Sequence, residues 1–494
     1  MNLKENPEKI VFPLLAVLAL LSIGGYLIAS LMTYRIGFPL DDAWIHQTYA
    51  RNLGLHGEWA FVPGQPSAGS TSPLWSALLA IGFVLTLGPH IWAFFLGWFT
   101  LWGISLVGMW IYPRISFSKQ EWAWLVGIII LLEWHLVWAA ASGMETSLFS
   151  LLVLLVLAWL VKERQNWFFL GALIGLSVWV RPDGLTLLGP AALVGLLQAS
   201  SNRQRATQLA YLSSGFILLF GPYLLWNRSF SGAWWPNTFY AKQAEYAIEL
   251  LEPLWKRILE QAVLPNVGVG ILLLPGFFYS LYRFFRERKW GAFTGAIWAI
   301  GYLILYALRL PVTYQHGRYV MPMMPVYFVW GLAGTMSITL PTSPVYWKRV
   351  LSRAWIASIG FVCIAFWFLG ARAYGRDVAF IESEMVVTAR WVAANTEPDA
   401  LIAAHDIGAL GYFGERRLLD LAGLVSPEVI PFLRDETRIA HWLDIGKANY
   451  LVTFPSWYPK LTQGLKPVFQ TGGIYSQAFD GENMVVYQWE LRLR

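Results

Sequence analysis

Charged residues and cysteine are both scarce in this sequence. Of its 494 residues 13% are charged, whereas a soluble globular domain carries roughly a quarter. The 56% of hydrophobic residues cannot form one core, because a core of that size divides into domains with polar surfaces. The composition therefore predicts that lipid solvates much of the chain. The single cysteine, Cys363, excludes an intrachain disulfide.

Several motifs of soluble chemistry are also absent. There is no G-x-x-x-x-G-K-[ST] and no G-x-G-x-x-G, so no motif supports a cytoplasmic nucleotide donor. No H-E-x-x-H or paired-cysteine pattern indicates a metal site. The net charge of +6 comes from short Lys and Arg clusters between apolar runs, which favours membrane orientation over nucleic-acid binding.

Long apolar runs dominate what is present. The run 11–33 is long enough to span a bilayer and has no small-residue cleavage site after it, so we expect an anchor rather than a removed signal peptide. With it, ten further runs predict about eleven transmembrane helices. These ten runs are 91–112, 122–140, 147–161, 167–181, 185–199, 209–227, 265–283, 291–309, 320–340 and 354–372.

Basic residues set the orientation of these spans. In this register every cytoplasmic loop is short and basic, as the positive-inside rule requires. The inside charges include Arg114, Lys119, Lys162, Arg164, Arg203, Arg205, Arg283, Arg286, Lys348 and Arg353. We therefore expect a multi-pass protein of the cell (inner or plasma) membrane, with residues 34–72 and 375–494 on the non-cytoplasmic side.

The apolar run 73–88 does not fit this alternation as a further span. If both it and 91–112 crossed the bilayer, Arg114 and Lys119 would lie outside, against the positive-inside rule. We therefore expect 73–88 to be a helix that lies along the outer interface.

After about residue 375 the composition becomes that of a soluble domain. A helical stretch at 382–395 precedes strand-like runs at Leu401–Ala404, Arg417–Leu421 and Asn449–Phe454, and this alternation predicts a small α/β domain. The predicted division is a transmembrane module, 1–374, and an extracytoplasmic domain, 375–494. We expect that domain to be a lid or acceptor-side module, with Asp406, Glu415 and Asp420 spread along its surface.

Unusual polar residues collect in five segments on the predicted outer face. Each has an ordinary structural interpretation. Asp41 can cap a helix, Glu145 can be a solvated residue favoured by the dipole at a helix N-terminus, the Arg181 segment can be a turn, and the two aromatic-rich segments can be interfacial anchors. The five segments are 41–53 (DDAWIHQTYARNL), 142–147 (SGMETS), 181–184 (RPDG), 235–242 (WPNTFYAK) and 314–319 (YQHGRY).

Together these segments bring carboxylates and cations to one face. Carboxylates can activate a hydroxyl nucleophile, and cations can hold a phosphate leaving group. Transfer of a group from a phosphate carrier uses both, and the paired carboxylates of Asp41 and Asp42 can also hold a divalent cation. The carboxylates are Asp41, Asp42, Glu145 and Asp183, and the cations are Arg181, Lys242, His316 and Arg318.

At these residues the chain resembles the GT-C glycosyltransferases, membrane enzymes that use polyprenyl-phosphate sugars as donors. The resemblance covers nearly the whole chain. It is nearest to bacterial relatives of terminal arabinofuranosyltransferases and more distant to aminoarabinose transferases and protein O-mannosyltransferases. The residues that carry it are DDAWIHQTYARNLGLHGEWAFVPGQPSAGSTSPLW, SGMETSLF, RPDG, PNTFYAK, HGRYVMPMMP and HDIGALGYFGERRLLDLAGL.

The resemblance implies roles for individual residues. The first acidic residue after span one acts as general base in this class, which is Asp41 here, with Asp42 beside it and Glu145 as the acidic residue of the second outer loop. Cations of later outer loops bind the lipid phosphate, for which Lys242, Arg318, His316 and Arg181 are candidates. Candidate substrate-binding residues are His46, Tyr49, Arg51, Asn237 and Tyr240. His46 and Gln47 stand where relatives often have aromatic or hydroxyl residues, which puts the identity of acceptor and sugar in question.

The implied activity is inverting transfer of a sugar from a polyprenyl-phosphate donor to a hydroxyl of a glycan, lipid or protein. A transporter or flippase for a lipid-linked or anionic substrate is the alternative, since many spans and charges at membrane edges also suit it. Against a transporter, no repeat symmetry is visible and the charges cluster on one face. A sensory membrane protein with a ligand-binding C-terminal domain is a third hypothesis.

Overall fold

The computed structural model describes residues 8–117, 122–162, 165–340, 344–478 and 481–490. Within them the chain is mostly helical, with a small sheet near the C-terminus. The helices are α1 (Glu8–Thr33), α2 (Asp41–His56), α3 (Pro73–Val84), α4 (Pro89–Ile115), α5 (Ala123–Leu132), α6 (Trp134–Ala141), α7 (Thr146–Leu160), α8 (Trp167–Val180), α9 (Leu188–Gln198), α10 (Asn202–Ser231), α11 (Asn237–Glu245), α12 (Leu254–Val263), α13 (Gly270–Arg286), α14 (Trp290–Arg309), α15 (Tyr314–Gly317), α16 (Met324–Thr339), α17 (Tyr346–Ile381), α18 (Val387–Asn395), α19 (Glu436–Gly446), α20 (Pro459–Thr462) and α21 (Ile474–Gln477). The predicted inside charges Lys119 and Arg164 lie outside the described residues.

Long apolar helices make up the larger part of the fold. Among the described residues five helices are long and apolar enough to cross a membrane, namely α1, α4, α10, α14 and the helix that starts with α17, and two bent pairs, α5–α6 and α12–α13, raise the number to seven. The other predicted spans fall on the shorter helices α7, α8, α9 and α16. Every predicted span thus lies on helical structure, while the total of eleven stays a prediction.

The surfaces of these helices suit a lipid solvent on one side and close packing on the other. Leu14, Leu21 and Met32 of α1 are large, apolar and exposed. Inside the bundle, α8 and α10 approach through Gly171 and Gly215, where a Cβ would collide with the carbonyl oxygens of the facing helix. Small residues at such positions let helix backbones pack closely in membranes.

The loop between α1 and α4 is folded against the apolar helices. α3 has 12 residues, and at ~1.5 Å per residue it is far shorter than the ~30 Å hydrocarbon core. It packs on α2, and the hairpin of β1 (Ala60–Val62) and β2 (Gln65–Pro66) lies between them in sequence. The short α3 agrees with the expectation that 73–88 does not cross the bilayer.

The predicted span 122–140 is broken in the middle. α5 and α6 meet at an angle of 58° at Glu133. The Glu133 carboxylate accepts a hydrogen bond from the backbone N–H of Leu136, which caps α6, and its other oxygen lies 2.8 Å from Nδ1 of His135. This break turns Trp134, His135 and Trp138 toward the interior of the protein.

The C-terminal sheet has five strands in the order β4-β3-β5-β7-β6. They are β3 (Leu401–Ala404), β4 (Arg417–Asp420), β5 (Tyr450–Thr453), β6 (Lys466–Gln470) and β7 (Val485–Gln488). β3 runs parallel to β4 and β5, and the β5–β7 and β6–β7 pairs are antiparallel. The parallel strands β3 and β4 end side by side, with Ala404 opposite Asp420, so the residues that follow them share one edge of the sheet.

α17 continues through the predicted boundary at residue 374 and ends at Ile381. A π-helical segment, Glu382–Val386, and α18 follow it directly and lead into β3. One continuous helix therefore crosses the predicted boundary at 374/375 and links the apolar helices to the sheet. The division into two domains at this point stays a prediction.

Candidate active site

All five outer segments meet at two neighbouring cavities between the membrane helices and the C-terminal domain. The larger cavity has a volume of about 1190 Å³ and the smaller one about 440 Å³. Both are lined by Asp42, Ile45, Lys242, Arg318 and Leu424, so these residues stand where the two cavities adjoin. Residues that are far apart in sequence therefore form one site.

Asp41 lies at the start of α2 and faces the C-terminal domain. Its Oδ2 accepts a hydrogen bond from the backbone N–H of Gly408 (2.7 Å) and its Oδ1 accepts one from that of Ala409 (2.8 Å). The capping alternative for Asp41 was therefore wrong for α2, because the carboxylate serves the helical segment that begins at residue 408 instead. Burial and the nearby Asp406 raise the pKa of Asp41 to about 8, although the two N–H groups act in the opposite direction.

Asp42, one residue on, points toward the cations. Its Oδ2 lies 2.5 Å from Nη2 of Arg318 and 3.5 Å from Nζ of Lys242. Burial alone would raise the pKa of Asp42, but Lys242 and Arg318 outweigh burial and hold that pKa well below its ordinary value. Two adjacent aspartates therefore have opposite electrostatic environments.

Tyr319 connects the cations of this cluster. Its hydroxyl accepts hydrogen bonds from Lys242 Nζ (2.8 Å) and Arg318 Nη2 (3.1 Å), and the Arg181 guanidinium carbon lies 5.5 Å from its ring centroid. Nη1 of Arg318 is buried and has no hydrogen-bond partner among the described residues. A buried hydrogen-bond donor without a partner costs free energy, so Arg318 can gain free energy by binding a further hydrogen-bond acceptor.

Glu145, His46 and Arg181 form a second network in the smaller cavity. One Glu145 oxygen lies 3.4 Å from Arg181 Nη1, and the other lies 3.4 Å from His46 Nε2. Arg181 also binds Asp183 through Nε (3.1 Å) and donates to the Tyr306 hydroxyl (3.0 Å). Burial would raise the pKa of Glu145, but His46 and Arg181 lower it to about 2. Glu145 is therefore an ion-pair partner that orients Arg181.

His316 lies apart from the other three predicted phosphate ligands. Its Nε2 is 2.8 Å from Oδ2 of Asp377, and its ring packs edge-on against Trp134 and Trp138 in the larger cavity. Gln315 and His316 both have positive φ (54° and 57°), a conformation that costs a non-glycine residue free energy. The structure thus brings Lys242, Arg318 and Arg181 together around Tyr319 and places His316 with Asp377.

Four predicted substrate-binding residues serve contacts elsewhere. Among the described lining residues of the two cavities, Tyr49, Arg51, Asn237 and Tyr240 do not occur. The Tyr49 hydroxyl bonds Ser67 and Gly69, and Arg51 and Asn237 donate to backbone carbonyls of the C-terminal domain. Tyr240 is partly exposed beside Phe239.

The C-terminal domain contributes site residues that the sequence analysis did not assign. His405 and Asp406 follow β3, and together with Trp457 and Tyr458 they line the larger cavity opposite Glu245. The expectation that Asp406 and Asp420 are spread along a surface was wrong. Asp406 lies just after β3, Asp420 is the last residue of the neighbouring parallel strand β4, and Asp420 is fully buried with backbone N–H partners. The signal available in the sequence was the position of His405 and Asp406 at a strand end.

The paired carboxylates of Asp41 and Asp42 could, from the sequence, also hold a divalent cation. Among the described residues no group of three or more His, Cys, Asp or Glu side chains is placed to hold a metal ion. Asp41 binds backbone N–H groups and Asp42 binds two cations, so each carboxylate of the pair has other partners.

Comparisons with known proteins show which folds this chain resembles. A family described as a domain of unknown function (DUF8728) matches residues 376–488, and no curated protein matches the chain. Among solved structures, ArnT from Cupriavidus metallidurans bound to undecaprenyl phosphate is similar, with 15% identity, a TM-score of 0.59 and 98% of each chain covered. The oligosaccharyltransferase AglB from Archaeoglobus fulgidus, in complex with an inhibitory peptide and a dolichol-phosphate, has 12% identity and a TM-score of 0.61 over 91% of this chain and 70% of AglB.

The arabinofuranosyltransferase AftD from Mycobacteria gives a third comparison, with 16% identity, a TM-score of 0.51, and coverage of 96% of this chain and 40% of AftD. These neighbours are GT-C glycosyltransferases, and at such identities the likeness is one of fold. The resemblance noted in the sequence is thereby confirmed: the chain has the GT-C fold, with a small sheet in its C-terminal region.

Proposed function

We propose that this GT-C-fold chain is a membrane glycosyltransferase that moves a sugar from a polyprenyl-phosphate donor to a hydroxyl acceptor on the extracytoplasmic side of the cell membrane. The observation that carries the proposal is the cluster of Lys242 and Arg318 on Asp42, at the point where two cavities adjoin. A reaction between two substrates needs such a junction, since each substrate can enter through its own cavity.

The cations of this cluster would hold the donor phosphate. Arg318 has one buried guanidinium nitrogen without a partner among the described residues, and Lys242 lies beside it on the Tyr319 hydroxyl. An arginine fork and an ammonium group give charge-assisted hydrogen bonds to phosphate oxygens. Arg181 lies in the smaller cavity, where Glu145 and Asp183 orient it and balance its charge.

Donor binding would also change the state of Asp42. A phosphate that takes hydrogen bonds from Arg318 and Lys242 competes with Asp42 for the same donors. Released from its cations and placed next to an anion, the Asp42 carboxylate has a higher pKa and accepts a proton more readily. The lipid phosphate thereby prepares the base for the transfer step.

We therefore assign the general base to Asp42 rather than to Asp41, the residue expected from the sequence. Asp41 has both oxygens engaged by backbone N–H groups, and its raised pKa leaves it largely protonated at neutral pH. Asp42 lines both cavities and is ionised. Asp41 then acts as a positioning residue that ties α2 to the segment after β3.

Asp42, Arg318 and Lys242 supply the base and the leaving-group ligands for the transfer step. The acceptor hydroxyl gives its proton to Asp42 as its oxygen forms a bond to the anomeric carbon. The bond between that carbon and the phosphate oxygen breaks, and polyprenyl phosphate leaves with the electron pair, held by Arg318 and Lys242. Attack opposite to the leaving group inverts the anomeric configuration. General-base help of this kind is typically worth about 10²–10⁴ in rate.

The test is a transfer assay with the detergent-solubilised chain, a panel of polyprenyl-phosphate sugars and an envelope extract as the source of acceptors. We expect release of polyprenyl phosphate and a new glycoside with one donor, and loss of both products in the double variant Lys242→Ala, Arg318→Ala. Movement of intact lipid-linked sugar across reconstituted vesicles, without release of polyprenyl phosphate from any donor, would contradict the proposal and favour the transporter alternative.

A further inference from the structure

The C-terminal domain forms one wall of the larger cavity, and this wall is polar and aromatic. Its members include His405, Asp406, Trp457 and Tyr458, which face Glu245 of α11. The mechanism proposed above uses none of them. The C-terminal domain is expected from the sequence to be a lid or acceptor-side module, and this wall is what it contributes to the larger cavity.

Hydrogen bonds fix the side chains of this wall in place. Nδ1 of His405 is 2.8 Å from the Tyr458 hydroxyl, and its Nε2 lies 3.3 Å from Oε1 of Glu245. Arg434 donates from Nε to the backbone carbonyl of Glu245 (3.0 Å), which joins the domain to α11. Burial alone would lower the pKa of His405, but the Glu245 carboxylate outweighs it and raises that pKa. The wall is therefore preorganised across two parts of the chain.

Two features of the wall lack a structural explanation. Oδ2 of Asp406 is buried and has no hydrogen-bond partner among the described residues, which costs free energy unless a ligand supplies a donor. Trp457 is 47% exposed although it lines a cavity, and its ring stands edge-on to His405. A free carboxylate oxygen beside an open indole presents a hydrogen-bond acceptor and an apolar face to the same ligand.

We propose that this wall is the acceptor subsite and that it binds a neutral carbohydrate, through the hydroxyl partners Asp406 and His405 and the stacking surface of Trp457. A sugar ring offers hydroxyl donors at its rim and an apolar C–H face, which fit a carboxylate and an indole respectively. The proposal rests on the transferase function proposed above and narrows its acceptor from a glycan, lipid or protein to a glycan.

Charge distinguishes a neutral glycan from an anionic acceptor. The wall carries the carboxylates of Glu245, Asp406 and Glu436, against one guanidinium, Arg434, and one imidazole, His405, which is paired with Glu245. A phosphorylated or uronate acceptor would therefore meet more carboxylates than cations on this wall. The buried guanidinium nitrogen without a partner, on Arg318, is at the other side of the site, where the donor phosphate would bind.

The proposed acceptor subsite lies close to Asp42, the proposed base. The segment that follows Asp406 supplies Gly408 and Ala409, whose N–H groups hold Asp41 beside the proposed base. A sugar held by Asp406 and Trp457 in the larger cavity can therefore present a hydroxyl to Asp42, which lines the same cavity.

The test uses the full chain in detergent on a microarray of neutral, uronate-containing and phosphorylated oligosaccharides. We expect binding to a subset of neutral glycans, and we expect Trp457→Ala and Asp406→Asn each to reduce that signal about tenfold or more. Matched controls are Trp255→Ala, an indole that is 69% exposed outside both cavities, and Asp399→Asn, an exposed aspartate of the same domain. Both controls should bind like wild type, and the more conservative Trp457→Phe should keep an intermediate signal.

Three results would overturn the subsite. These are preference for anionic glycans, no binding to any glycan, and neutral-glycan binding that the Asp406 and Trp457 variants leave unchanged while their thermal unfolding matches wild type. The failure of the transferase proposal is separate, because glycan binding needs no donor. A chain that binds neutral glycans through this wall but transfers no sugar would refute the transferase function alone, whereas variants that transfer to glycans with an unchanged KM would refute the subsite alone.

Discussion

The two sides of the larger cavity differ in the chemistry that they present. The side built by the membrane-proximal segments carries Lys242 and Arg318 around Asp42, whereas the side built by the C-terminal domain carries Asp406, His405 and Trp457. The first side suits a phosphate, and the second suits hydroxyl groups and an apolar ring face. The difference supports the two proposals that the cations hold the donor phosphate and that the C-terminal domain binds the acceptor.

Asp41 and Asp42 mark the border between these two sides. Successive residues of a helix point about 100° apart, so one carboxylate of the pair reaches the C-terminal domain and the other reaches the cations. Asp41 bonds to Gly408 and Ala409, and Asp42 bonds to Arg318. The pair therefore connects the C-terminal domain to the proposed donor site through a single turn of α2.

The largest effect should come from breaking the donor side. Arg318→Ala removes a guanidinium that would form a buried, hydrogen-bonded charge pair with the donor phosphate. Truncating one partner of such a pair typically costs about 2–5 kcal/mol, so the Kd for undecaprenyl phosphate should rise about 30-fold or more. Arg318→Lys keeps the charge but loses the forked guanidinium, so its Kd should lie between those of wild type and Arg318→Ala. Arg434→Ala, on the other side of the cavity, is the control. Equal losses from the Arg318 and Arg434 variants would erase the distinction between the two sides.

A smaller effect should follow from detaching the border residue. Asp41→Ala leaves the N–H groups of Gly408 and Ala409 without their acceptor, at about 1–3 kcal/mol for each buried group. We expect a lower thermal unfolding temperature and faster proteolysis of the C-terminal domain, while Asp399→Ala, at an exposed position, changes neither. A fully stable Asp41→Ala variant would mean that the two sides are held together elsewhere.

The pH dependence of stability should reflect the same border. The pKa of Asp41 is raised from 3.8 to about 8, so between these values the folded state binds more protons than the unfolded state and the free energy of unfolding falls as the pH rises. Asp406 and Asp420, with pKa values raised to about 6, act in the same direction. Thermal unfolding at about pH 5 and about pH 8.5 should show this decline, and Asp41→Asn should flatten it. A rise in stability toward pH 8.5 would contradict the assignment.

The smallest effect should come from a residue outside both sides. Tyr240 does not occur among the described lining residues of either cavity, so Tyr240→Phe should leave kcat and KM within about twofold of wild type. Steady-state transfer kinetics measure this directly. A large increase in the KM for the acceptor would place Tyr240 in the acceptor subsite.

Much of the fold could be predicted because its signals are local. The uninterrupted apolar run Leu401–Ala404 became β3, and each predicted span lies on helical structure. β6 and β7 were not predicted. Lys466–Gln470 contains a proline and mixed polar residues, so its pairing with β7, rather than local preference, makes it a strand. Val485–Gln488 is rich in Val and Tyr, and this local signal was missed.

The site could be predicted as a set of segments, since the basic loops placed all five on one face. The different roles of the residues within these segments could not be predicted. The partners of Asp41 lie 367 and 368 residues away in sequence, and nothing local distinguishes its environment from that of Asp42. The same limit explains why His316 was grouped with Arg318, although its backbone turns its ring toward Asp377.

Asp42→Asn, assayed for both undecaprenyl phosphate binding and sugar transfer, tests the central assignment most directly. Asparagine cannot take the proton, but it also no longer competes as an anion for Arg318 and Lys242. Transfer should fall by about 10²–10⁴, while the Kd for undecaprenyl phosphate stays the same or decreases. Near-normal turnover in Asp42→Asn, or a loss of lipid-phosphate binding as large as the loss of transfer, would contradict Asp42 as the base.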